Sequence, residues 1–457
     1  MEDNKKQVVI ITEEKKSQSK SKKIFGYVLF ILFGIGTWLN LNGIWIELPL
    51  LIPELSEGWG LSPQLGMASN IANVGPLIIA VIRHLIGGES SAYEVPSICV
   101  IFLVGITVPL ILSFTWFKQV FFLGTTRSLY LLVLGFFLAL VNCTSSVTYL
   151  PFVNRFHKKW LNIYFAGESL SSLIPAILGL LQGVGQEAKC IPSPTNHSIM
   201  IEQHFPARFS VQIYLICLSI IMCISFIAFL LLWRTQPQEK NQKKSQTEQI
   251  IAGENAQDSL LTVNNNDVIV KSPNDNNEEK FSMETIIYLL IILWTSILLI
   301  GCIPSINSYS LNPYGASTFH YVLILCQCCY PLVSLISTLR PQLFQVSKIG
   351  IILSTISGTL AFSYIFITAW RSPCSPFVDE AMGKYIVAVM WVLVYLIFYY
   401  ERIALGNYFN ETSGHRGLFW YGLLTQAGAF TGASIIFTLN SLGKFNERAL
   451  CEKYSCS

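Results

Sequence analysis

Two amides, a carboxylate and two indoles close a stretch of this chain that otherwise reads as lipid-soluble. Residues 24 to 33 are apolar, and Trp38, Asn40, Asn42, Trp45, Glu47 and Pro49 follow them. Amides and acids are costly in hydrocarbon, so such groups usually face a protected interior and often line a solute path. An amide offers both a donor and an acceptor, and an indole offers a broad apolar face. Together they suit a polar or aromatic solute of little charge.

Other apolar stretches carry similar groups. Asn70 and Asn73 are three residues apart and share one helix face. Residues 142–152, Asn-Cys-Thr-Ser-Ser-Val-Thr-Tyr-Leu-Pro-Phe, are the most hydroxyl-dense part of any apolar segment. Glu168 lies within Gly167–Ser172, and residues 304–315 run Pro-Ser-Ile-Asn-Ser-Tyr-Ser-Leu-Asn-Pro-Tyr-Gly before His320 and Gln327. Each group also has a structural reading. Ser, Thr and Gly in spans commonly pack helices, and Glu47 beside Trp45 fits an interfacial anchor. Glu168 fits a neighbour of the headgroups, and His320 fits a satisfied core histidine.

Enzymatic signatures are missing from the sequence. There is no phosphate-binding loop, no dinucleotide fingerprint, no metal-ligand cluster and no catalytic Ser/His/Asp grouping. The chain therefore reads as neither an enzyme nor an ATP-driven pump, with no cofactor or metal. The basic N-terminal run is a solvated charge patch rather than a nucleic-acid site.

The elements that position these residues follow from composition. The chain is 52% hydrophobic and only 12% charged, whereas soluble domains carry about a quarter charged residues. A span needs about 20 apolar residues, which predicts eleven helices: 24–46, 64–84, 97–117, 128–152, 162–183, 210–233, 283–303, 317–339, 348–370, 384–404 and 416–440. With the N-terminus in the cytosol, most of the 30 lysines and arginines fall on the cytosolic side. Cys190, Cys374, Cys451 and Cys456, of twelve cysteines, then lie outside, where disulfides form. Four cysteines allow three pairings, and the expected one joins Cys374 to Cys451. Asn196 opens a glycosylation sequon on the same side. Residues 234–282 are too polar to bury a core and read as a disordered cytoplasmic linker. The predicted organisation is thus an N-terminal tail (1–23), a lobe of six helices (24–233), the linker, a lobe of five helices (283–440) and an extracellular tail (441–457). Interrupted helices at the interface of two such lobes are typical of secondary transporters.

The segment Asn42-Gly43-Ile44-Trp45-Ile46-Glu47-Leu48-Pro49 resembles the NGIW[VI]ELP signature of the animal riboflavin transporters. The resemblance continues through Thr144–Phe152, Gly167–Ser171, Gln182–Gly185 and Pro194–Asn196. It resumes at Pro304-Ser305, Pro313–Gly315, His320, Ser372–Cys374 and the two tail cysteines. It implies an all-α polytopic membrane protein, similar to the equilibrative nucleoside transporter and major facilitator arrangement. The implied function is riboflavin uptake across the plasma membrane by alternating access. On that footing the expected substrate contacts are Asn42, Trp45 and Glu47, then Asn73, then Thr144, Ser145 and Thr148, and finally Ser305, Asn307 and Tyr314. Aromatic faces suit the flat flavin ring, amides its imide edge and hydroxyls its ribityl chain. Glu47, Glu168 and His320 are candidates for proton coupling. Two alternatives are a carrier for another heterocyclic solute, such as a nucleoside, and a non-transporting membrane receptor.

Overall fold

The computed structural model describes residues 23–85, 91–122, 124–156, 159–184, 189–192, 200–203, 206–235 and 282–447. The N-terminal tail, most of the expected linker, Asn196, Cys451 and Cys456 lie outside these residues.

The first apolar stretch is not one helix. It forms α1 (Lys23–Ile35) and α2 (Leu39–Leu51), bent by 54° at Gly36–Trp38. Glycine weakens a helix, and the Thr37 hydroxyl donates to the Gly34 carbonyl at 2.8 Å, a back-bond that bends helices. Trp38 leaves the helical region (φ −114°, ψ 4°) and starts α2 without a side-chain cap. The second stretch is also divided, into α3 (Leu61–Ile71) and α4 (Val74–Leu85), with the break at Ala72–Asn73. The expected uninterrupted spans 24–46 and 64–84 are corrected accordingly.

The first half continues with α5 (Ser91–Thr115), α6 (Leu129–Asn154), α7 (Lys159–Gln182) and α8 (Val211–Thr235). Two short hairpins interrupt the all-helical pattern. In β1 (Val120–Phe122) and β2 (Thr125–Arg127), Phe121 pairs with Thr126; in β3 (Lys189–Pro192) and β4 (Met200–Gln203), Ile191 pairs with Ile201. The second half opens with α9 (Met283–Ser296), a π-helical turn (Ile297–Cys302) and α10 (Ile303–Leu311). Pro304 has no N–H and its ring clashes with the carbonyl four residues back, so the helix widens just before it. This span therefore runs well beyond the expected end at 303. Then come α11 (Ala316–Leu339), α12 (Lys348–Trp370), α13 (Ala381–Thr412) and α14 (Gly414–Ser441). Among the described residues nine helices are long and apolar enough to cross a membrane, and the bent pair α1–α2 makes a tenth.

One buried apolar cluster runs through both halves, and a smaller one lies within the second half. Phe33 of α1 stacks on Tyr149 and Phe229 and meets Phe102, Phe152 and Tyr164. In the second half Trp391 is fully buried, and Gly301 of the π turn packs directly on Gly432 of α14. Ion pairs sit where the helices approach one face. Arg155 pairs with the buried Glu94, and Lys348 pairs with Glu284 at 2.8 Å.

The two halves touch asymmetrically. We call the face where α1 begins the near face, and the opposite one the far face. The far-side pieces α2 and α3 pack on α11, on α10 and on α14, and α7 packs along α11. The near-side piece α4 packs extensively only on α6, within its own half. The rings of α1 likewise stay within the first half, Tyr27 and Phe30 resting on Trp160. The halves are therefore joined toward the far face through α2, α3 and α10, and midway by the Ser172 hydroxyl of α7, which donates to the Gln327 carbonyl of α11 at 3.1 Å.

Candidate solute site between the two halves

The two helix breaks in the first half meet. Leu41 of α2, Ala72 at the second break and Ala139 of α6 form one buried cluster, with Trp38, Trp45, Phe136 and Leu140 packed around it. Breaking a helix inside a membrane exposes backbone groups that hydrocarbon cannot satisfy. Here Asn142 of α6 takes both. With its amide oriented to satisfy the network, it donates to the Thr37 carbonyl at 2.7 Å and accepts from the Leu41 N–H at 3.1 Å. Asn40 is held similarly, donating to the Gly105 carbonyl at 2.9 Å.

Around this junction Asn42 and Trp45 of α2 and Asn73 at the second break are all half-buried. They are polar and aromatic groups at helix interruptions, where transporters place solute. Thr144, Ser145 and Thr148 follow Asn142 on α6. Their hydroxyls donate to carbonyls of their own helix, those of Leu140, Asn142 and Thr144. A hydroxyl keeps acceptor lone pairs after donating, and Thr144 also packs directly against Gly75 beyond the break.

The other side of α2 faces α7 and α11. Ile46, Ala176 and Ile324 form a small cluster there. Glu47 is 1% exposed, with Gln182 alongside it, yet neither carboxylate oxygen makes a well-formed hydrogen bond. His320 is equally buried, neither ring nitrogen has a well-formed partner, and its imidazole lies against Gly179. Gly179 and Gln182 are three residues apart on α7, so both orphaned groups meet one helix face. Glu168 is half-buried closer to the near face, facing the Trp38 indole.

The expected residues of the second half are placed differently. Ser305 donates to Gly301 at 2.8 Å and packs tightly on Gly66, at the contact of α10 with α3. Asn307 is 1% exposed and its carbonyl oxygen has no partner. Tyr314 donates its hydroxyl to the Pro376 carbonyl at 2.6 Å, within the second half. Cys374 is disulfide-bonded. Sequence reasoning did not single out Asn142, Trp38 or Gln182 as site residues. The available signal was a lone amide or indole within an apolar stretch, which by itself does not say what it would touch.

Two helical halves with broken spans where they meet make a fold of the major facilitator type. The fold is similar to that of a D-xylose-proton symporter, with a TM-score of 0.54 at 10% identity, covering 92% of this chain and 89% of that one. Residues 22–447 match the model of the solute carrier family 52 riboflavin transporters, and the chain belongs to that family. It is similar to riboflavin transporter 2 of Salmo salar, 33% identical over 446 residues covering 91% of this chain and 95% of the relative. It is also similar to riboflavin transporter member 3-B of Danio rerio, 32% identical over 442 residues covering 92% and 96%.

Proposed function

We propose that this chain takes up riboflavin across the plasma membrane by alternating access. Membership of the riboflavin transporter family carries the reading. The half-buried Asn42, Trp45 and Asn73 at two meeting helix breaks support a solute site at that point. In this reading Trp45 offers a face to the flavin ring, and Asn42, Asn73 and Asn307 offer amides to its imide edge. Glu47, Thr144, Ser145, Thr148 and Ser305 complete the polar lining, with Tyr314 at its far end. Riboflavin is neutral, so it needs no fixed counter-charge. Glu47, Glu168 and His320 are the groups through which protons would couple to transport.

The finer architecture belongs to the same proposal. Counting α1–α2 and α3–α4 each as one broken span gives eleven, six before the middle linker (234–282) and five after it. The N-terminal tail (1–23) is cytoplasmic and the C-terminal tail (441–457) extracellular, with Asn196 glycosylated and Cys374 joined to Cys451. In that orientation the near face is cytosolic and the far face extracellular.

The test is radiolabelled riboflavin uptake in cells expressing the chain, with Asn42→Ala and Glu47→Gln at matched surface amounts. Saturable uptake that falls in both variants is the expected result. Uptake unaffected by either change moves the site elsewhere. No uptake above background, with protein at the surface, overturns the assignment, and competition by uridine rather than lumiflavin would turn it to a nucleoside.

A further inference from the structure

The break between α1 and α2 should leave backbone groups unsatisfied at both of its ends. Part of the deficit is met locally: the N–H groups of Gly36 and Thr37 donate to Phe33 and Gly34 at 3.2 Å, and that of Asn42 to Trp38 at 3.1 Å. Neither the Thr37 carbonyl nor the Leu41 N–H is met by a neighbour in sequence. In most helices an Asn, Ser or Asp at the N-cap accepts from the third residue of the helix. Here Trp38 occupies the cap and has no acceptor, while Leu41 is that third residue. The acceptor is instead the Asn142 carboxamide from α6, which binds the Thr37 carbonyl through its other end. Asn142 is 1% exposed, so bulk water does not reach this contact.

We propose that Asn142 is a positioning residue for the transported solute. It caps α2 from a neighbouring helix and fixes the pitch at which α2 leaves the break. The residues whose direction depends on that pitch are Asn42 and Trp45, one to two turns further along. Asn142 also shares α6 with Thr144, Ser145 and Thr148, so one side chain sets the spacing between the two polar strips. This rests on the riboflavin reading for its solute but not for its geometry. A side chain that only filled space here would influence folding and not the fit of the solute.

The experiment compares full-length wild type with Asn142→Asp and Asn142→Leu. Asp keeps the acceptor for Leu41 and loses the donor to Thr37; Leu loses both. Purified protein is followed by hydrogen–deuterium exchange over residues 37–46, and cells by riboflavin KM, maximal rate and lumiflavin inhibition at matched surface amounts. Expected are faster exchange across that segment, a KM raised about tenfold in Asn142→Leu and less in Asn142→Asp, and an altered ratio of lumiflavin to riboflavin affinity. Unchanged exchange overturns the cap. Changed exchange with wild-type KM and inhibitor ratio overturns the positioning role. If Asn142→Leu fails to reach the surface, Asn142→Asp decides by the same criteria. Wild-type cells that take up no riboflavin mark a failure of the solute assignment, and the exchange arm still decides whether Asn142 caps α2.

Discussion

The backbone N–H of Trp59 donates to the Glu447 carboxylate at 3.0 Å, joining the loop after the first span to the segment after the last. The Trp59 carbonyl accepts from Ser308 at 2.6 Å, and its ring meets Tyr309 edge-on. Tyr309 in turn donates to Asn440 at 2.7 Å and stacks on Phe445. One residue of the first half is thus gripped by α10 and by the C-terminal segment together, and this grip is the seal at the far face. Elsewhere in the same loop, Glu57 accepts from both the N–H and the hydroxyl of Ser128, anchoring the loop to α6.

Removing the Glu447 carboxylate should loosen the seal. A hydrogen bond to an exposed charged acceptor is worth about 1 kcal/mol, which shifts an open–closed equilibrium by about fivefold. Gln64 lies just beneath Gly60. We expect Gln64→Cys to react several-fold faster with a membrane-impermeant maleimide from the far side when Glu447→Ala is added. Equal rates would mean that the seal does not depend on Glu447. Gly58→Ala should act in the same direction, because Gly58 has φ +52° and an added Cβ would lie 2.5 Å from the Glu447 carboxylate.

Glu47→Gln keeps the size of the side chain and removes its ability to exchange a proton. We expect riboflavin uptake at matched surface amounts to drop at least about tenfold, roughly 1.4 kcal/mol of barrier or binding. If Glu47 carries the coupling proton, the residual uptake will have a flatter pH profile than wild type. A profile unchanged after Glu47, Glu168 and His320 are all neutralised would remove proton coupling through this set.

The Glu94–Arg155 pair tests what holds α5 against the end of α6. The Glu94 side chain is wholly buried, whereas Arg155 is 19% exposed. Removing one charge of a buried pair costs up to about 3 to 5 kcal/mol. Arg155→Ala should therefore lower the melting temperature of the purified protein markedly. Adding Glu94→Gln should recover a good part of the loss. A double variant no more stable than the single would show that the charge of Glu94 was not what suffered.

Two glycines of α14 should respond with opposite signs. A Cβ at Gly432 would lie 2.2 Å from the Ile297 carbonyl oxygen and 3.0 Å from the Gly301 Cα, so Gly432→Ala overpacks the contact with the π turn and should cost about 1 to 3 kcal/mol. At Gly422 an added Cβ meets nothing within 4 Å, and Gly422→Ala should stabilise the helix by about 0.5 to 1 kcal/mol. Melting of the two variants in the same detergent reads the difference directly. A shift of the same sign in both would overturn the packing argument.

Apolar length made the long helices legible, and the cost of burying amides and acids marked residues 40–49 as the place to look. The breaks were less legible. Thr37 and Gly36 are tolerated inside many helices, and only the partner from α6 makes a stop there inexpensive. Asn73 could be seen as polar but not as the start of a new helix. Pro304 announced an irregularity, yet the widening falls before it, because the clash is with a carbonyl one turn earlier. Thr144 and Ser305 fit solute hydroxyls by type, while their packing against Gly75 and Gly66 depends on neighbours remote in sequence. Period and composition report what a residue can do, and they are silent on which distant residue it meets.

Trp59 and Glu447 are 388 residues apart. At about 5 to 20 residues per second of synthesis, the second partner follows the first by roughly 20 to 80 seconds. Throughout that interval the nascent carrier sits in its membrane with the loop around Trp59 lacking its tail partner. The barrier is therefore completed last, by residues beyond the final span, and a truncated translation product would be inserted and folded in most respects yet leave its far door unlatched.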